Sequence, residues 1–160
     1  MKKYIFILLA VVLLTGCSSK SKMIGCDDCV YSRFTDKKAI GDKLDDYKEN
    51  YKDIKSNIFL GHVLDNNSNI IKSYVCATDK GKSFCLEGNI DNSKYEANKK
   101  ILNDVYNKTN CSEETDDDVN YYSCTGKISV SISNNGYNYV SVSKSDECYV
   151  SNDGTTYCYG

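Results

Sequence analysis

The chain has 160 residues, with 20 Lys or Arg against 22 Asp or Glu, a formal net charge of -2, nine cysteines, one histidine and no proline. Its length suits one domain with a short extension, and the even mixing of both charge signs excludes the basic stripe of a nucleic-acid-binding surface. A single histidine leaves little material for a side-chain base, so hydrolytic chemistry has weak support.

Lys2 and Lys3 precede an apolar run from Tyr4 to Leu14, and Thr15-Gly16 supply small residues directly before Cys17. The run is shorter than the roughly 20 apolar residues a membrane span requires, and its order of positive charge, apolar core and small residues is that of a cleaved export signal. With cysteine in the next position, Leu14-Thr15-Gly16-Cys17 resembles the lipobox of bacterial lipoproteins. The resemblance implies that residues 1–16 are removed and that the Cys17 thiol is diacylglycerated and becomes the new N-terminus. The protein would then sit lipid-anchored at the cell membrane, facing outside the cytoplasm. Residues 17–25 read as the lipidated cysteine and a flexible tether, whose Lys20 and Lys22 favour an anionic membrane surface. Residues 26–160 read as one disulfide-rich domain.

Setting Cys17 aside leaves Cys26, Cys29, Cys76, Cys85, Cys111, Cys124, Cys148 and Cys158, an even set that predicts disulfides in an exported chain. Within the domain, Ile40, Leu44, Tyr47, Tyr51, Ile54 and Ile58 recur at steps of three and four with charged residues between them, predicting an amphipathic helix. The period then falls to two. Strands are expected over Phe59 to Leu64, Ile70 to Cys76 and Ser83 to Glu87, with turns at Asp65 to Asn69 and Asp79 to Lys82. Folding back at the second turn places Cys76 opposite Cys85 and Val75 opposite Leu86, within bridging reach. Ser93 with Glu96 reads as a capping box opening a second helix through Ala97, Ile101, Leu102, Val105 and Tyr106.

The C-terminal third alternates Ser, Thr and Tyr with Val and Ile. A three-residue loop ending at Gly136 pairs Ile128 with Val142 and Val130 with Val140, and the same loop at Gly154 pairs Cys148 with Cys158. Cys76 to Cys85 and Cys148 to Cys158 are therefore expected as hairpin staples, leaving Cys111 to Cys124 and Cys26 to Cys29 by elimination. The expected fold class is α+β: an N-terminal amphipathic helix packed on an antiparallel β-meander with disulfide-stapled C-terminal hairpins.

Few constellations carry chemistry. Cys26-Asp27-Asp28-Cys29 has thioredoxin spacing, but two carboxylates raise rather than lower the thiol pKa, and a chain without proline lacks the cis-proline found beside thioredoxin cysteines. A structural bridge is the first reading, and a thiol-disulfide redox lipoprotein using this pair is the alternative. No second Cys-x-x-Cys accompanies it, so no zinc site, other metal or cofactor is expected. His62 stands in a strand-like run without a nucleophile motif, so no catalytic residue is assigned and no enzyme is expected. Glu113 to Asp118 crowds carboxylates between Cys111 and Cys124 without the spaced calcium-loop pattern, and reads as a solvated acidic loop, with calcium binding left open. The tyrosines of the C-terminal strands, including Tyr137, Tyr139, Tyr149, Tyr157 and Tyr159, suit strands and also sticky surfaces.

Gly25-Cys26-Asp27-Asp28-Cys29-Val30-Tyr31, Phe59 to Asp65, Ser83 to Gly88 and the closing Cys148 to Cys158 segment together resemble the globular heads of type IV pilin-like and pseudopilin-like proteins of low-GC bacteria. A disulfide-stapled β-rich domain without a catalytic constellation reads as a non-catalytic binding or assembly module, attached to the membrane through the lipid on Cys17, and the resemblance implies other envelope or pilin-like proteins as its partners. In place of a pilin's prepilin site and long apolar helix stands the lipobox.

Overall fold

A computed structural model describes residues 23–33, 57–88, 91–134, 139–144, 147–150 and 156–159. Two sheets account for most of them. The first contains β1 (Met23–Ile24), β2 (Val30–Arg33), β3 (Ile58–Leu64), β4 (Ile70–Asp79) and β5 (Lys82–Glu87) in the order β1-β5-β4-β3-β2. Only β1 runs parallel to its neighbour, with Met23 opposite Ser83 and Ile24 opposite Phe84. The second sheet is an antiparallel meander of β6 (Cys111–Asp116), β7 (Val119–Cys124), β8 (Ser129–Ser133), β9 (Tyr139–Ser143), β10 (Glu147–Val150) and β11 (Thr156–Tyr159). Between the sheets in sequence lies α1 (Asn92–Val105), followed by a 3-10 turn at Lys108–Asn110.

This arrangement corrects the expected helix on one meander with appended hairpins. Tyr122, Val130, Ile132, Val140 and Val142 give the C-terminal strands a continuous apolar face, and those side chains are buried in one cluster with Leu60, Val75, Phe84 and Leu86 of the first sheet. Strands that share such a face form a full sheet and bury it against another layer. The N-terminal helix expected from Ile40 onward lies outside the described residues except at its end, where Ile58 opens strand β3 and pairs with Ala77. Fully burying each large apolar side chain contributes about 1.5–3 kcal/mol, which is why the shared face dominates the architecture.

Helix α1 presents Tyr95, Asn98, Leu102 and Val105 to the interior at steps of three and four. Its N-cap is Asp91, whose Oδ1 accepts from the Lys94 amide at 2.9 Å and from the Ser93 hydroxyl at 2.6 Å, so Asp91 rather than Ser93 caps the first turn. Asn98 donates to the Glu87 carbonyl (2.9 Å) and accepts from the Glu87 amide (3.1 Å). Its amide therefore bonds β5 where β1 no longer pairs, as a neighbouring strand would.

The turn between β4 and β5 ties the two sheets together. Asp79 is buried, and its Oδ2 accepts from the Ile128 amide at 3.2 Å, while the Tyr106 hydroxyl donates to the Ile128 carbonyl at 3.0 Å. Both backbone groups of Ile128, just ahead of β8, are thus held from the first sheet and the end of α1.

The first sheet is buried on both faces. Ile58, Leu60, Val75, Ala77, Phe84 and Leu86 face the second sheet, and the alternate residues Phe59, Tyr74, Cys76 and Cys85 form a second cluster with Cys26 and Tyr31 on the opposite face. Period-two alternation sends neighbours to opposite sides, so both sets of apolar residues are used.

Candidate functional site

The second cluster is built around sulfur. Met23 pairs with β5, and the chain then turns at Gly25, whose φ of +102° suits glycine and where a Cβ would lie 2.3 Å from the Cys85 carbonyl oxygen. That close approach folds Cys26 to Cys29 back over the outer face of the first sheet. Met23 and Ile24, read from sequence as tether, are here part of a strand. Cys26 is bonded to Cys29 with a Cα separation of 5.7 Å. Tyr31 pins the loop by donating from its hydroxyl to the Cys26 carbonyl at 3.0 Å, and its ring meets Phe59 edge-on at 5.8 Å.

Directly beneath lies the Cys76–Cys85 bridge, joining residues opposed across β4 and β5. Its two cysteines are fully buried, Cys26 is 6% exposed, and Cys29 is partly buried with exposed Asp27 and Asp28 beside it. The Met23 Sδ lies 3.6 Å from the Cys85 Sγ. A bridged cysteine has no thiol hydrogen, so this is a van der Waals contact between sulfurs. Gly61 of β3 sits between the bridges: a Cβ there would lie 3.1 Å from the Cys29 Sγ and 3.1 Å from the Cys76 Sγ. A glycine inside an otherwise apolar strand is the sequence cue for such a close approach, and neither Gly61 nor Tyr31 is singled out for it by sequence reasoning.

The remaining cysteines lie elsewhere. Cys111 and Cys124 are opposed across β6 and β7 and bonded, with a Cα separation of 4.0 Å. Cys148 stands opposite Cys158 in the register of β10 and β11. Cys17 lies outside the described residues.

His62 is buried on the face of β3 that looks toward the second sheet, with Nδ1 3.4 Å from the Ser73 hydroxyl and Nε2 without a hydrogen-bond partner among the described residues. Burial disfavours its charged form and pushes its pKa down to about 4. Among the described residues, no nucleophile besides the Ser73 hydroxyl is hydrogen-bonded to it.

Glu113 to Asp118, expected as a loop, instead forms the edge strand β6 and a two-residue turn. Asp117 and Asp118 both have positive φ, at 46° and 66°, which matches the turn to the right-handed twist of the hairpin. The carboxylates consequently alternate along an exposed strand rather than converging. Glu113 pairs with Lys99 at 2.5 Å, and that ammonium also lies 5.2 Å from the Tyr122 ring centre. Among the described residues no three His, Cys, Asp or Glu side chains form a group able to hold a metal ion. Charged residues on an open edge strand also discourage pairing with another chain.

Thr109, Asn110, Cys111, Ser112, Ser123 and Thr125 line an open cavity of about 490 Å³ beside the Cys111–Cys124 bridge. Its lining is mostly hydroxyl and amide. On the outer face of the same sheet Ser112, Ser123, Ser131 and Ser141 stand in one cross-strand row, continued by register through Tyr149 and Tyr157. Ser123 and Ser131 are hydrogen-bonded to each other at 2.8 Å.

Residues 1–18 match the family described as the prokaryotic membrane lipoprotein lipid attachment site. The match supports a bacterial lipoprotein with a signal peptide and a lipid anchor on the cysteine it covers, Cys17. No curated protein and no solved structure matches the chain.

Proposed function

We propose that this protein is a lipid-anchored, non-catalytic binding or assembly module displayed outside the cytoplasm. The observation that carries the reading is the pairing of a lipid attachment site at residues 1–18 with a domain closed by the Cys26–Cys29, Cys76–Cys85 and Cys111–Cys124 bridges. Cysteines persist as structural disulfides mainly in oxidising compartments, so the bridges and the export signal favour the same side of the membrane. The burial of His62, the one histidine, favours a binding role over one in general-base chemistry. The comparisons lend no support to a pilin-like head, which leaves the surfaces of the domain itself as the place where a partner would dock.

Cell fractionation with lipid labelling tests the anchor, and protease treatment of intact cells tests the orientation. Wild-type protein should be lipid-labelled, membrane-bound and cleaved from outside, whereas Cys17→Ala should lose the label and leave the membrane. A Cys17→Ala protein that stays labelled and membrane-bound would defeat the anchor, and a protected wild-type domain would defeat the orientation.

A further inference from the structure

We propose that Cys29 and the buried Cys76–Cys85 bridge form an intramolecular thiol-disulfide exchange pair, through which an external dithiol reduces a bond it cannot reach. The inference goes beyond the anchored binding module and does not rest on it. Its basis is the meeting of two bridges at Gly61. The Cys29 and Cys76 sulfurs each lie 3.1 Å from one point, the Cβ position of Gly61, and are therefore no more than 6.2 Å apart, twice that distance. Glycine leaves no side chain between them.

The two bridges differ in access. Cys76 and Cys85 are fully buried and locked in adjacent strands, so no outside thiol can approach them in the folded protein. Cys29 is partly exposed on a short loop held mainly by the Gly25 turn and the Tyr31 hydroxyl. Once its bond to Cys26 is broken, its side chain is free to turn toward Cys76.

The chemistry balances in three exchanges. An external dithiol gives up two electrons and two protons, becoming a disulfide as the Cys26–Cys29 bond is reduced to two thiols. The Cys29 thiolate then attacks the Cys76 Sγ, forming a Cys29–Cys76 bond and expelling Cys85 as a thiolate, which takes up the proton Cys29 released. Finally the Cys26 thiolate attacks the Cys29 Sγ, restoring Cys26–Cys29 and expelling Cys76, which takes up the proton from Cys26. The net result is an oxidised external dithiol and a reduced Cys76 and Cys85, with the surface bridge intact.

Cys26→Ser traps the second step, because it leaves Cys29 as a free thiol with no residue to resolve the mixed disulfide. The full-length variant, incubated at mildly alkaline pH, then quenched in acid, labelled with N-ethylmaleimide in denaturant and mapped without reduction, should carry a Cys29–Cys76 cross-link and a label on Cys85. Label on Cys29 alone, with Cys76–Cys85 intact, overturns the proposal. Should that variant fail to fold, wild-type protein given one equivalent of dithiothreitol, then quenched in acid and labelled in denaturant in the same way, decides the matter. Label on Cys76 and Cys85 with Cys26–Cys29 still bonded supports the relay. Label confined to Cys26 and Cys29, or appearing equally fast on Cys111 and Cys124 through general unfolding, overturns it.

Discussion

Cys29 and Cys76 belong to different disulfides, yet both of their Sγ atoms lie 3.1 Å from the place a Cβ on Gly61 would occupy. Residues brought together from the N-terminal loop, β3 and β4 thus share one crowded point on the outer face of the first sheet. Bridged sulfurs cannot rotate away, because each is bonded to a second cysteine.

Gly61→Ala should therefore destabilise the domain rather than stabilise it by stiffening the unfolded chain. Overpacking of this kind costs typically about 1–3 kcal/mol, against a gain of at most about 1 kcal/mol from replacing glycine. Urea unfolding of the oxidised protein measures the difference. A midpoint equal to or above that of wild type would show that the two bridges yield easily.

His62 makes stability depend on pH. Its ordinary pKa of 6.5 is pushed down to about 4 by burial, so the unfolded chain takes up the proton at a higher pH than the folded protein. The stability this provides is fully present above pH 6.5 and is lost as the pH falls through 6.5 toward 4. At about 1.36 kcal/mol per pH unit, the loss by pH 4 approaches about 3 kcal/mol. His62→Phe should lose about that much less than wild type when urea unfolding at pH 7 is compared with pH 4. Equal losses in the two proteins would remove His62 as the cause.

Capping of α1 can be read by single substitutions. Asp91→Ala removes the acceptor for the Lys94 amide and should cost about 1 kcal/mol, the usual worth of an N-cap. Ser93→Ala removes only a donor to Asp91 and should cost less. Thermal unfolding of the two variants ranks them, and a larger drop for Ser93→Ala would return the cap to Ser93.

The Cys111–Cys124 bridge closes the exposed edge hairpin across a sequence separation of 13. Replacing both cysteines with alanine should cost about 3 kcal/mol from loop closure. Because β6 is an edge strand whose one strand partner among the described residues is β7, hydrogen exchange should rise most at the amides of β6. Uniform exchange across the domain would mean that the bridge supports the whole fold rather than its edge.

Where pairing was local, the sequence was legible. The turn at Lys80 and Gly81 joins residues that are neighbours in the chain, and the expected opposition of Cys76 to Cys85 and Val75 to Leu86 is the register observed. Cys148 likewise faces Cys158 in register. The hairpin of β8 and β9 shows the limit. Val130 pairs with Val142 and Ile132 with Val140, so the expected partners are displaced by two residues. A shift of two keeps every side chain on its intended face, and for that reason hydrophobic alternation could not distinguish the registers.

Taken alone, the amino-acid sequence determined the lipid attachment site of the protein and the registers of the β4–β5 and β10–β11 hairpins. A lipobox is read residue by residue, and a two-residue turn such as Lys80-Gly81 forces the strands beside it into one register. Only the tertiary structure decided that the C-terminal strands make a second sheet packed on the first, that Asp79 and Tyr106 hold Ile128 between them, and that two disulfides meet over Gly61. Each of those contacts joins residues far apart in the chain. Alternation says only that a face must be buried, and the other layer of the fold selects what buries it.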